Sequence, residues 1–342
     1  MRARTDLRDL AIWGYAFGYF ACYAPYSALT KSLSQGGVPG MDAAVSGFAL
    51  LPSSAIASLV GMLVFLTGMG WWKHARRRTV LGVSVPFPSA WTFLSGLCTA
   101  AIIPTTTLAY TFSGVSIVFM MLLMRGGVLV LAPIVDLVSK RKVRWFSWVS
   151  LALSLSALLA ALADGASYEI TLIAAVDVTI YLLAYFVRLR FMSRLAKSDD
   201  PEAKLRYFVE EQMVATPALI VTLGVLAIVG RGQVLSQVRW GFVDYWSSGA
   251  AWAGIVVGVL SQGTGVFGGL ILLDKRENTF CVPVNRASSV LAGIVATLAM
   301  SQLAGGKGLA VSEIVGAALV IGAMTALAWP TIAGRKKVVA AA

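Results

Sequence analysis

Histidine appears once in this chain of 342 residues, as His74, and cysteine three times, as Cys22, Cys98 and Cys281. The cysteines show no CxxC or other metal-ligand spacing. Chemistry built on histidine bases, histidine ligands or clustered thiolates is therefore out of reach. Charge is scarce too: Asp, Glu, Lys and Arg together make up 13% of the residues. No G-x-x-x-x-G-K-[ST] loop is present, which removes ATP-driven pumping by this chain alone. Long polar segments are also missing. The most hydrophilic stretch runs only from Ser193 to Arg206, so neither a linker nor a separate soluble domain can be drawn. The ten-residue alternation of a transmembrane β-barrel is absent as well. We expect no cofactor, no metal site and no catalytic residue.

Apolar sequence fills the chain instead: 58% of residues are hydrophobic and the mean hydropathy is +0.79. About 20 apolar residues carry a helix across a hydrocarbon core about 30 Å thick, with every backbone polar group satisfied internally. Ten such runs can be drawn, near 10–31, 43–70, 89–110, 113–138, 145–163, 170–192, 207–230, 246–272, 279–303 and 310–332. The shortest gaps follow Tyr110 and Leu272. Of the 28 Lys and Arg residues, 22 lie at the termini and in every second gap. Examples are the groups at Lys73–Arg78, Lys140–Arg144 and Arg188–Arg206. By the positive-inside rule both termini are then cytoplasmic, in a bacterial-type inner membrane, and the number of spans is even. The net charge of +12 is thus a topology signal, and no nucleic-acid partner is expected.

A faint internal repeat accompanies the spans. Trp91 and Gly96 in span 3 have counterparts in Trp252 and Gly258 in span 8. Arg125 opens RGGVLVLAPIV in span 4, and Arg286 opens RASSVLAGIV in span 9. Five spans per half would insert the second half upside down, an arrangement that supports alternating access around a central site. The expected fold is all-α and integral to the membrane, with ten transmembrane helices in a 5+5 inverted repeat. The halves would cover residues 1–165 and 166–342 of one integrated domain.

This layout resembles the drug/metabolite transporter superfamily, including its EamA-like and nucleotide-sugar-transporter-like ten-helix carriers. Within it, 105–138 is similar to the third-to-fourth helix signature, with Ala109–Tyr110, a turn over Ser113–Ser116, and Pro133. Residues 268–298 occupy the matching place in the second half. The resemblance implies a carrier and leaves the substrate open. The chain departs from the small-multidrug pattern in having no glutamate in span 1.

Charge inside a bilayer is costly, so intramembrane ionisable residues carry the first functional hypotheses. Arg125 lies about twelve residues into span 4, and Arg286 about eight into span 9. Both either clamp an anionic group, which guanidinium binds bidentately, or pair with a carboxylate. Asp177 is the only carboxylate well inside a span. It is a counter-ion to one arginine or a proton-coupling site. Tyr181 and Tyr185 follow it at four-residue spacing, on one helical face. Tyr15, Tyr19, Tyr23 and Tyr26 form a stripe along span 1, suited to a cavity wall or to helix packing. Asn285, beside Arg286, and Gln262, within the glycine-rich 261–269, are further candidate contacts. Asp136, Glu210, Glu211 and Arg188 sit near cytoplasmic helix ends, where local pairing or solvation is expected.

The expected function is secondary active transport of a small anionic or zwitterionic metabolite: an amino acid, a carboxylate or a sugar phosphate. Arg125 and Arg286 would hold the acid group, with Asn285, Asp177, Tyr19, Tyr23, Tyr181 and Gln262 around the remainder. The expected partners are the solute, the bilayer and protons. Alternatives are a carrier of lipid-linked or amphipathic molecules on the same fold, and a non-transporting membrane scaffold. An intramembrane enzyme would need a base, nucleophile or metal set that the spans do not offer.

Overall fold

The computed structural model describes residues 2–38, 43–80, 82–112, 117–164, 172–198, 200, 202–304 and 311–339. Among the described residues the fold is all-α apart from one small hairpin. Among these residues eleven α-helices follow one another: α1 (Arg2–Gln35), α2 (Gly47–Gly68), α3 (Ala90–Ala109), α4 (Ile117–Val138), α5 (Trp145–Asp164), α6 (Leu172–Phe191), α7 (Ala203–Val229), α8 (Gln233–Val243), α9 (Ala251–Leu272), α10 (Asn278–Ala304) and α11 (Val311–Val339). Among the described residues six helical stretches are long and apolar enough to cross a membrane, in α2, α3, α6 with its following turn, α7, α9 and α10. Their outward faces carry large apolar side chains, with Leu172 80% and Ile228 86% exposed. A bundle in water would not leave such surface uncovered.

Both short gaps are true breaks: α3 stops before Tyr110 and α9 before Leu273. Two elements were not anticipated. Strands β1 (Arg77–Val80) and β2 (Val83–Pro86) pair antiparallel after α2, where the sequence reading had only a basic loop. Gly82, at φ +80°, supplies the left-handed residue that the tight reversal needs. The short helix α8 precedes span 8, where no element was expected. The proposed boundary at 165/166 and the Ser113–Ser116 turn lie outside the described residues.

Helix α1 packs on α9 and α10, and α6 packs on α3 and α4. Helix α2 packs on α9 and α7 packs on α3, while α4 meets α10 and α5 meets α11. Glycine permits two of these approaches. A Cβ at Gly96 would lie 2.5 Å from Val214 Cβ in α7, and one at Gly258 would lie 2.3 Å from Ser54 O in α2. Pro104 interrupts α3, and the hydroxyls of Thr105, Thr106 and Thr107 donate to carbonyls of Ala101, Ile102 and Ile103.

The end of the bundle that carries the basic clusters is tightly cross-linked. Asp136, from the end of α4, caps α10: it accepts from Asn278 N at 3.0 Å, Thr279 N at 2.7 Å, Asn278 Nδ2 at 2.7 Å and Thr279 Oγ1 at 2.7 Å. Glu210 in α7 accepts from Arg76 N, Ser89 N and Thr92 Oγ1 at the start of α3. Arg144 and Ser147 each donate to Glu277 at 2.8 Å. Burial pushes the Glu277 carboxyl up, but these bonds outweigh it and hold the group below its ordinary value.

Candidate functional site

The centre of the bundle is built on two helical stripes. In α1, Tyr19, Tyr23 and Tyr26 are 4%, 1% and 1% exposed, so the stripe faces inward. In α6, Asp177, Tyr181, Tyr185 and Arg188 are likewise buried. The ring pairs match. Tyr19 and Tyr23 lie 5.0 Å apart at 48°, and Tyr181 and Tyr185 lie 4.7 Å apart at 54°.

Arg125 in α4 is 3% exposed and Arg286 in α10 is 1% exposed. Arg125 donates from Nη1 to the Tyr181 hydroxyl and from Nη2 to the Tyr23 hydroxyl. A longer contact of 3.4 Å reaches the Tyr110 hydroxyl, which is itself bonded to Tyr23. Arg286 donates from Nη1 to the same Tyr181 hydroxyl at 2.9 Å. Its guanidinium carbon lies 4.5 Å from the centre of the Tyr185 ring, and that of Arg125 lies 5.2 Å from the Tyr23 ring. Tyr181 thus bridges the two arginines.

Neither arginine forms an ion pair among the described residues, and Arg125 Nε, Arg286 Nε and Arg286 Nη2 have no hydrogen-bond partner there. Two like charges that share one phenol hydroxyl as acceptor repel by roughly a few kcal/mol at an effective dielectric of about 20. Phenol hydroxyls and ring faces soften that repulsion without neutralising it. The arrangement is one an anion would complete. Asp177, considered as a counter-ion, is 5% exposed, pairs with neither arginine, and leaves Oδ2 unpartnered among the described residues. The bound carboxylate of the region is Glu211. It takes two bonds of 2.8 Å from Arg188 and further ones from Ser95 and Thr99.

A cavity of about 70 Å³ opens against this cluster. Tyr19, Tyr23, Arg125, Tyr185, Gln262 and Asn285 lie on its wall, together with Arg188, Gln212 and hydroxyls of α2, α3 and α9. In this conformation it has room for a few waters and not for a metabolite. Gln262 donates to Gln212 at 3.2 Å. Asn285 Oδ1 has no partner among the described residues. Arg286 does not reach this wall. It borders a void of about 10 Å³ on the far side of Arg125, lined also by Ser154 and Val290. Tyr181 lines neither space, although its hydroxyl touches both arginines. Of the expected residues, Arg125, Tyr19, Tyr23, Gln262 and Asn285 therefore share one cavity, and Arg286, Tyr181 and Asp177 lie behind it.

Tyr110, Arg188 and Gln212 were not among the expected contacts. Arg188 was within reach, because it continues the stripe of Tyr181 and Tyr185 at helical spacing. Tyr110 was not, because it lies past the end of α3 and reaches Arg125 only through the tertiary fold. Among the described residues no three His, Cys, Asp or Glu side chains converge as a metal site would require.

No family model matches the chain, and no curated protein matches it. Solved structures do share its fold. One, described only as the crystal structure of a protein, superimposes with a TM-score of 0.56 over 95% of this chain and 98% of its own, at 16% identity.

Proposed function

We propose that the protein is a secondary transporter of small organic anions, built as ten spans in two inverted halves and related to the drug/metabolite transporters. The observation that carries this reading is the buried Arg125 guanidinium, without a carboxylate partner among the described residues, on the wall of a cavity in the bundle centre, with the equally unpaired Arg286 behind it. Buried charge is retained at such cost where it meets a ligand.

Two lines of support concern the inverted halves. Exchanging spans 1–5 with 6–10 turns the α1–α9 contact into α6–α3, α1–α10 into α6–α4 and α2–α9 into α7–α3, and all of these occur. The contacts α4–α10 and α5–α11 map onto themselves. A near-constant sequence offset runs alongside. Tyr15, Tyr19, Tyr23 and Tyr26 are each 162 residues before Asp177, Tyr181, Tyr185 and Arg188; Gly96 is 162 before Gly258, and Arg125 is 161 before Arg286. The first-half stripe and the second-half stripe share their spacing of four, four and three.

On this reading the basic end faces the cytoplasm of a bacterial-type inner membrane, with both termini on that side. The solute meets Arg125 first, flanked by Tyr19, Tyr23, Gln262 and Asn285. The walls must part for it to enter, as rocking of the halves would allow. The lining places no carboxylate beside Arg125, which favours the acid group of a solute at this position. The test is counterflow in liposomes containing the purified chain, with labelled dicarboxylates, sugar phosphates and amino acids. Retention of a labelled anion that Arg125→Met abolishes is the expected result. Absence of counterflow for every class would refute the transport reading.

A further inference from the structure

The two halves place like rings beside their arginines and differ in what the next tyrosine does. Tyr23 and Tyr185 are counterparts, and each presents its ring to the arginine of its own set: Arg125 lies over Tyr23 at 5.2 Å and Arg286 over Tyr185 at 4.5 Å. Tyr19 and Tyr181 are counterparts too, with nearly equal ring geometry to the next tyrosine. Their hydroxyls, however, do different things. The Tyr181 hydroxyl accepts from both Arg125 and Arg286. Tyr19 faces the cavity and makes no comparable bridge among the described residues.

In an inverted-repeat carrier, the opposite-facing state is reached when each half adopts the conformation of the other. An asymmetry between equivalent residues then belongs to the state, and must invert when the state does. We propose that Tyr181 and Tyr19 alternate as the bridge between the two arginines: Tyr181 in the conformation described here, Tyr19 in the opposite one. This rests on the transport reading above. The bridge matters because two buried cations repel, so the phenol that links them stabilises whichever conformation it belongs to. Asp136 on the start of α10 and Glu277 on Arg144 tie the basic end together, and in the proposed alternation that end is taken as the one closed in this conformation. Removing the Tyr181 hydroxyl should open that end, and removing the Tyr19 hydroxyl should close it further.

Cys281 is a native reporter of this opening. It is fully buried at the basic end, three residues into α10, with Lys197 Nζ 3.6 Å from its sulfur. The experiment measures the rate at which N-ethylmaleimide alkylates Cys281 in the full chain in liposomes, with Cys22 and Cys98 replaced by serine. Tyr181→Phe is expected to raise the rate at least threefold and Tyr19→Phe to lower it by a similar factor. Changes in the same direction, or no change in either, would overturn the alternation. Should Tyr181→Phe fail to fold, Tyr19→Phe decides alone, since a rate equal to or above that of the parent contradicts the proposal. Counterflow of a labelled anion by the parent chain separates the two failures. With counterflow intact and the rates unmoved, only the alternation falls; with no counterflow, the transport reading falls and the alternation with it.

Discussion

The basic end of the bundle and its centre are both rich in buried polar groups, yet they treat them in opposite ways. At the basic end the carboxylates of Asp136, Glu210 and Glu277 accept from named donors on neighbouring elements, although Asn278 Oδ1 beside them has no partner among the described residues. At the centre Arg125, Arg286 and Asn285 leave buried atoms without partners among the described residues. Folded proteins satisfy nearly all buried polar atoms, so a saturated network is read as scaffold and an unsaturated one as a place where something else binds. The Arg188–Glu211 pair lies between these cases: its charges are paired, but Arg188 is on the cavity wall.

The contrast can be broken most easily at that pair. Glu211→Gln leaves Arg188 buried without its counter-charge, and a loss of about 3–5 kcal/mol is expected. Thermal unfolding of the purified chain checks it, and an unchanged midpoint would mean that the pair is solvated in the protein. Asp136→Ala removes four hydrogen bonds at the start of α10, of whose donors only Asn278 Nδ2 keeps another partner among the described residues, Ser193 Oγ. With buried donors left unsatisfied, the expected cost is about 3 kcal/mol, read as a lower unfolding midpoint. Arg125→Met should behave in the opposite sense. Replacing an uncompensated buried charge by an apolar side chain is expected to leave stability unchanged or raise it by about 1–2 kcal/mol, while anion binding drops at least tenfold. If this variant is as unstable as Glu211→Gln, the centre is scaffold too.

The smallest effect is a pH dependence at the basic end. The Glu277 carboxyl is held below its ordinary value in the folded chain. Its contribution is therefore present above the unfolded-state value and is lost as pH falls through the lower folded one. In Glu277→Gln that part of the acid-side loss should be missing from a stability profile between about pH 3 and 6. An identical acid limb in both chains would show that the Arg144–Glu277 contact adds nothing.

Much of this was legible in the sequence, because the signals were local. Apolar runs gave the helices, and the inward faces of Tyr19, Tyr23, Tyr181 and Tyr185 followed from four-residue spacing. The full offset between the stripes was also there to read, as the equal spacing of Tyr15–Tyr26 and Asp177–Arg188. What could not be read depends on which helix covers which. Glu210 and Glu211 look alike at the start of span 7, yet one caps α3 and the other pairs with Arg188. Asp136 appears to be a helix-end carboxylate open to water until α10 closes over it. The counter-ion role considered for Asp177 depended on α6 turning that residue toward an arginine; the helix turns Tyr181 there instead. The hairpin at Arg77–Pro86 was hidden by its charge, since arginines mark topology as readily as they populate strands.

The central claim is that Arg125, backed by Arg286, awaits an anion. Its most direct test is a structure of the chain bound to whichever organic anion raises its unfolding midpoint most. The account predicts an acid group within hydrogen-bonding distance of the Arg125 guanidinium, on the wall shared with Tyr23 and Asn285. An anion seated elsewhere, with Arg125 still held only by its tyrosines, would contradict it.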